Sequence, residues 1–402
     1  MYWFCAGEFA INVARGMFTL ALGMLLYSAT NSLWAFTLAF ASEFLVSIFL
    51  QGIAGSVVDR IGAKKVLLTA SAGSFLMIAV AALISPDIAT EPTLLIAVAI
   101  GFNLFRPFIR NAVFVLIPEV AGKDRLEKLN GYISIALQAG QILGMALVGI
   151  FLEMEQAMWV IYAVASGYLA AFLCYLILIL GLRAKQKLAK TLEKTDGGSW
   201  GEVFRFLLSN KPAIFIFIVA ACDYLAIALF NLLLAPAIKH NFDNLARWLT
   251  FLDVGFAVGA ILGGLYVAKN TIEERYRVTV TCASMLAVAG VFLGYVWQLH
   301  PYVILVLTFI FGALTTLSTV CWMSAQQKLS PPHLKGRIAS VRYMVNASMV
   351  ALGTGIVSYV NDIGFSQAAL AAVIVMAAIL SIAVAGFTLS TRQHWKSAEN
   401  VI

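Results

Sequence analysis

Seven ionisable side chains stand inside long apolar runs of this chain: Glu8, Arg15, Glu43, Arg106, Arg110, Asp223 and Asp253. A charge near the centre of a bilayer costs roughly 2.5–3.5 kcal/mol on insertion scales, so each one needs a partner, a cavity or a task. Two chemistries are open to such a set. Guanidinium groups hold carboxylates through paired, planar hydrogen bonds, and a desolvated carboxylate keeps its proton near neutral pH and can carry it. Arg106 and Arg110 are four residues apart and share one helix face, with Pro107 between them loosening the backbone. Asp223 follows Arg15 by 208 residues and Asp253 follows Glu43 by 210, so the charges recur at nearly one offset. The first pair is opposite in sign and the second alike. Arg15 and Asp223 admit two readings: a buried ion pair, or the binding of a substrate and of a proton, and protonating Asp223 would release Arg15. Glu43, beside Ser42 and Ser47, and Asp253 each read as structural or as proton acceptors. Glu8 reads as interfacial and solvated.

Composition says what must position these groups. The chain has 402 residues, 61% hydrophobic and only 12% charged, against about 25% charged in soluble domains. Each membrane crossing takes about 20 apolar residues, so the length holds about a dozen crossings and leaves no room for a soluble catalytic domain. Apolar windows place spans 1 to 6 at Gly7–Ser28, Leu33–Val57, Val66–Ile84, Thr93–Ile117, Leu129–Leu152 and Ala157–Leu182. Spans 7 to 12 follow at Ala213–Ile238, Ala246–Val267, Val278–Val296, Tyr302–Ser324, Ile338–Val360 and Phe365–Ser390. A polar, lysine-rich segment at 183–211 separates them, containing Asp196-Gly-Gly-Ser199. The expectation is an all-α membrane protein of twelve transmembrane helices in two six-helix, pseudo-symmetric halves, 1–182 and 212–402, joined by a linker at 183–211. The halves repeat at an offset of roughly 209 residues: Gly55 corresponds to Gly264, and Pro118-Glu-Val-Ala-Gly-Lys-Asp-Arg125 resembles Pro331-Pro-His-Leu-Lys-Gly-Arg337.

Charge gives the orientation. The turn after span 2, the connections after spans 4, 6, 8 and 10, and the tail hold 22 of the 27 Lys and Arg residues. The opposite side has only Lys239 and Arg247. Positive residues mark the cytoplasmic side, so both termini are expected in the cytoplasm and the protein in the inner (plasma) membrane. The net charge of +7 is this asymmetry, a face that meets anionic lipid, and implies no nucleic-acid partner. The start, Met1-Tyr-Trp-Phe-Cys5, lacks the basic region of a signal peptide, so span 1 is expected to stay. Five scattered cysteines argue against a disulfide framework or metal cluster. No nucleotide-binding loop or catalytic triad is apparent, so neither an enzyme nor a cofactor is expected.

The turn between spans 2 and 3 reads Gly55-Ser-Val-Val-Asp59-Arg60-Ile-Gly62-Ala-Lys64-Lys65-Val-Leu67. It resembles the signature G-x-x-x-D-R-x-G-R-K-x-x-L of the major facilitator superfamily at Gly55, Asp59, Arg60, Gly62, Lys64 and Leu67, with Ala63 in place of a base. The connection Leu329-Ser-Pro-Pro-His-Leu-Lys-Gly336-Arg337-Ile-Ala-Ser340 is similar to the P-x-x-x-x-G-R-x-x-S segment of bacterial efflux members, among them siderophore exporters and macrolide-efflux-like proteins. Span 5 carries Gly140, Gly144 and Gly149, resembling the antiporter signature g-x-x-x-G-P-x-x-G-G, with Met145 for its proline and Val148 for a glycine. Small residues at that spacing also serve close helix packing by themselves.

The resemblance implies secondary active transport by alternating access, with spans 1, 4, 7 and 10 lining a cavity. It puts Arg15, Arg106 and Asp223 on the path of substrate and ions. The expected substrate contacts are Arg15, Arg106, Asn12, Gln138 and Gln141, and the expected proton-coupling residues are Asp223, Glu43 and Asp253. The expected cytoplasmic gate comprises Gly55, Asp59, Arg60, Gly62, Lys64, Arg110 and Arg337, with Arg110 meeting Asp59 or Glu119. Embedded arginines favour export of an anionic or carboxylate-bearing small molecule of siderophore type, driven by protons, by a monomer in the lipid bilayer. The alternatives are a proton-coupled multidrug pump that confers antibiotic resistance and, from another class, a non-transporting membrane sensor.

Overall fold

A polypeptide in hydrocarbon must satisfy its backbone hydrogen bonds internally, and a helix does so within one segment. The computed structural model describes residues 1–30, 46, 49–85, 91–153, 157–188, 198–242 and 247–399, and every long element among them is an α-helix. The helices are α1 (Tyr2–Thr30), α2 (helical residues 49–61), α3 (Ala63–Ile84), α4 (Pro92–Ala121), α5 (Leu126–Glu153), α6 (Ala157–Leu188) and α7 (Trp200–Ser209). They continue as α8 (Lys211–Asn241), α9 (Arg247–Lys269), α10 (Arg277–Val296), α11 (Pro301–Leu329), α12 (Lys335–Asn361) and α13 (Phe365–Glu399). Eleven helices are long and apolar enough to cross a membrane among the described residues. Most of expected span 2, Glu43 included, lies outside the described residues. The connecting segment is itself partly helical: α6 runs on to Leu188, and α7 occupies 200–209. Span 7 is therefore α8, and later spans shift by one.

The chain forms two compact units. The first comprises Met1–Asp124, Ile135–Ser199 and Pro331–Tyr343. In it α1 packs on α6 and α4, and α3 on α4 and α6. The glycines of α5 set its approach to α1, because a Cβ at Gly144 would overlap the Val13 carbonyl and the Met17 amide, and one at Gly140 the Phe9 carbonyl. Gly62 joins α2 to α3 with φ 95, a left-handed conformation that costs a side-chain-bearing residue but not glycine.

The second unit comprises Arg125–Ser134, Trp200–Ser330 and Met344–Ile402. Its core is built from α8, α10, α11 and α13, around Leu225, Leu229, Phe230, Phe292 and Phe311, all at or near zero exposure. The rings of Phe230, Phe256 and Phe311 lie 5.2–5.8 Å apart. Such aromatic contacts add about 0.5–1.5 kcal/mol each beyond the area they bury.

Candidate functional site

Three guanidinium groups converge inside the first unit. Arg15 comes from the middle of α1 and Arg106 and Arg110 from one face of α4. Arg15 and Arg106 each lie within electrostatic range of Arg110, and Arg106 within range of Arg15. All three side chains are half-buried rather than sealed. Arg15 Nη1 donates to Asn12 Oδ1 at 3.3 Å. Asn12 Nδ2 donates to the Glu8 carbonyl at 2.7 Å, and that bond turns its amide oxygen toward Arg15. Tyr168 of α6 faces both Arg15 and Arg106. Its ring stacks on Phe102 at 4.7 Å, and Phe102 meets Phe18 edge-on at 4.7 Å, so an aromatic wall backs the cluster. Gathering like charges in low dielectric is repulsive, and a bound anion relieves that repulsion directly. Gln138 and Gln141 on α5 are half-buried, and the Gln141 backbone sits where a Cβ at Gly16 would go.

Glu8 differs from the interfacial, solvated group expected of it. It is 8% exposed and accepts from the Tyr175 hydroxyl at 2.8 Å. The reason is packing: α6 lies along α1 and covers this position. Arg110 lies over the Tyr343 ring at 5.6 Å, Asp59 pairs with Arg337 and Glu119 with Lys64.

In the second unit Asp223 is fully buried and held by hydroxyls. Ser318 Oγ donates to its Oδ2 at 2.6 Å and Thr315 Oγ1 to its Oδ1 at 3.4 Å, both from α11. Each of these hydroxyls can donate to an ionised carboxylate or turn to accept from a protonated one. Asp253 stands on an exposed face of α9, within electrostatic range of Tyr295.

The residues of the charged turn separate by role. Asp59 Oδ1 accepts from the Gly336 amide at 2.6 Å, and Oδ2 accepts from the Arg337 amide at 3.1 Å and its Nη1 at 2.9 Å. These amides belong to the first turn of α12, whose unpaired N–H groups and positive dipole end favour an anion. The pair is sealed, with side-chain exposures of 3% and 2%. Gly55 lies against Gly336 and Ser340, where a Cβ would overlap the Ser340 hydroxyl. Behind it Gln51 Nε2 donates to Asn111 Oδ1 at 2.8 Å, and Asn111 Nδ2 donates to Ser340 Oγ at 2.9 Å. Lys64 pairs with Glu119 at the end of α4. Arg60 is exposed, so the structure does not bring it into this cluster.

The second unit holds a matching contact of reversed polarity that the residues singled out from sequence do not include. Glu127, in the first turn of α5, accepts from the Ile272 amide at 3.3 Å and from Arg277 Nη2 at 3.3 Å. Here the acid sits at the start of α5 and the base at the start of α10. Asn130, one turn on, donates to Ser324 Oγ at 2.9 Å and Gln327 Oε1 at 2.8 Å. A signal for Glu127 was present, since it precedes Arg337 by 210 residues, the repeat offset.

A comparison with curated protein sequences gives no match. Among solved structures, a bacterial homologue of the iron transporter ferroportin in an outward-facing state superposes with a TM-score of 0.78. It shares 12% identity and covers 97% of this chain and 99% of its own. The Major Facilitator Superfamily transporter FucP, in the outward conformation, gives a TM-score of 0.68 at 16% identity, covering 96% and 98%. These likenesses concern the fold. The sequence itself matches a family over residues 4–354, a stretch that takes in the arginine cluster, the charged turn, Asp223 and the start of α12. The chain belongs to the Major Facilitator Superfamily.

Proposed function

We propose that the protein is a secondary active transporter that exports a small anionic molecule, carboxylate-bearing and of siderophore type, by proton-coupled alternating access. The observation that carries this reading is the convergence of Arg15, Arg106 and Arg110, with Asn12 and Tyr168 beside them, halfway along α1 and α4. Such a cluster fits a multiply charged carboxylate better than a bare metal cation, and among the described residues no three His, Cys, Asp or Glu side chains group as a metal site would need. Asp223 takes the role of proton acceptor, and the Asp59–Arg337 contact that of a latch which holds one conformation. The excess of bases assigns that latch and both termini to the cytoplasmic side of an inner membrane.

Transport into proteoliposomes of a citrate-type siderophore tests the reading. Hydrogen bonds to charged groups contribute about 1.5–3 kcal/mol, so Arg15→Ala and Arg106→Ala are each expected to lower uptake about 10- to 100-fold. Full activity in both variants sinks the anion reading. Collapsing the pH gradient is expected to stop accumulation, and undiminished flux without it excludes proton coupling.

A further inference from the structure

Asp223 is the end of a longer chain of hydrogen bonds. Ser318 Oγ, its donor, is 2.7 Å from Thr281 Oγ1 of α10, and either hydroxyl can donate. Thr281 Oγ1 receives the indole N–H of Trp322 at 2.7 Å and also reaches the Arg277 carbonyl at 3.1 Å. Arg277 is the residue whose guanidinium holds Glu127, at the start of α10. Asp223, Ser318 and Thr281 are at zero exposure and Trp322 is 2% exposed, so no bulk water competes along this line. Cys321, also at zero exposure, lies within electrostatic range of Asp223, Arg277 and Glu127 together, an independent sign that the two sites are close.

An indole can only donate, so Trp322 fixes one lone pair of Thr281. That leaves the Thr281 proton two destinations, Ser318 Oγ or the Arg277 carbonyl. With Asp223 ionised, Ser318 must donate to the carboxylate and has a lone pair free for Thr281. With Asp223 protonated, its O–H donates to Ser318, Ser318 turns to donate to Thr281, and Thr281 is left to donate to the Arg277 carbonyl. One O–H bond forms at Asp223 as it takes up a proton, no O–H bond breaks, and the Ser318 and Thr281 hydroxyl protons turn together. A threonine hydroxyl bonded to the carbonyl four residues back bends the helix slightly, here in the turn that carries Arg277.

We infer that Ser318, Thr281 and Trp322 form a hydrogen-bond relay that reports the protonation of Asp223 to the Arg277–Glu127 contact. The inference rests on the reading of Asp223 as the proton site. Titratable groups near Asp223 among the described residues include Cys222 on its own helix, which lies within electrostatic range of Cys282 on α10, and Cys321 on α11, which lies within range of Asp223, the Arg277–Glu127 pair and Lys328. Asp253 on α9 faces Tyr295 instead. On α13 the ionisable residues begin at Arg392, past the apolar span, and α7 contributes Glu202 and Arg205.

Two measurements on the full-length protein in lipid nanodiscs separate the relay from the proton site. The infrared carboxylic-acid band lost in Asp223→Asn reports the protonation of Asp223. Hydrogen–deuterium exchange over residues 270–278, corrected for the intrinsic pH dependence, reports the contact through the Ile272 amide. In the wild type, exchange is expected to change about tenfold in one pH step that coincides with the infrared titration, and Asp223→Asn is expected to abolish it. A step that survives in Asp223→Asn overturns the proton-site reading itself. Thr281→Val is expected to keep the infrared titration and lose the exchange step, and Thr281→Ser to restore it. Ser318→Ala removes the donor to the ionised form and is expected to move the infrared midpoint up by about one pH unit. If Thr281→Val keeps the full exchange step while Asp223 still titrates, the relay is wrong although the proton site stands. Thr281→Ala carries the same expectation should the valine variant not fold.

Discussion

Asp59 shows how one side chain serves two kinds of interaction at once. It accepts backbone amides at the start of α12 and pairs with the Arg337 guanidinium, with almost no solvent at either group. Removing one member of such a buried pair costs about 3–5 kcal/mol, because the other charge is left uncompensated. Asp59→Asn keeps an acceptor for one amide but loses the charge. It is expected to lower turnover in proteoliposomes about tenfold or more while equilibrium substrate binding changes less than about twofold, since the arginine cluster is untouched. A large loss of affinity with turnover preserved would place Asp59 at the substrate instead. The motif spacing made Asp59 legible in the sequence. It did not reveal what Asp59 holds, because Gly336 and Arg337 are 277 and 278 residues away and only folding brings them near.

At the scale of the helix, small residues decide how closely charges approach. The glycines of α5 resemble an antiporter signature, and two of them pack closely on α1, Gly140 at Phe9 and Gly144 at Val13 and Met17. This is the stretch of α1 that carries Asn12 and Arg15. Overpacking a tight contact costs about 1–3 kcal/mol, so Gly144→Val is expected to lower the melting temperature by a few degrees and to reduce substrate affinity as α1 shifts. An unchanged melting temperature would show that α5 yields freely. Glu8 belongs to this scale too: its burial follows from α6 covering α1, which no periodicity within α1 discloses.

For the whole molecule, the distribution of bases makes a topological prediction. A fluorescent protein fused after residue 402 is expected to mature and fluoresce, as it does only in the cytoplasm. Alkaline phosphatase inserted at 243–246 is expected to be active, as it is only outside. The opposite pattern would invert the orientation and place the Asp59–Arg337 contact on the outer side. Apolar windows gave an expectation of twelve spans, and eleven helices of sufficient length stand among the described residues. The short amphipathic α7 escaped the windows because ten residues are too few for a span, and Phe204 and Leu208 leave it with an exposed apolar face.

The sequence by itself determined the solvent, the helical class, the charge bias and the family resemblance, because each depends on composition or on spacing within one segment. It also named Arg15, Arg106 and Asp223, since a charge in an apolar run is conspicuous without any fold. Only the tertiary structure decided their partners. The gathering of three arginines beside Tyr168, the seat of Asp59 on α12, and the line from Asp223 through Ser318 and Thr281 to Arg277 all join segments far apart in the chain. A hydrogen bond requires a few ångströms and an angle, and neither is written in residue type. The spacing within the charged turn therefore points to the family, while the hydroxyls and amides that folding brings to its neighbours define the chemistry.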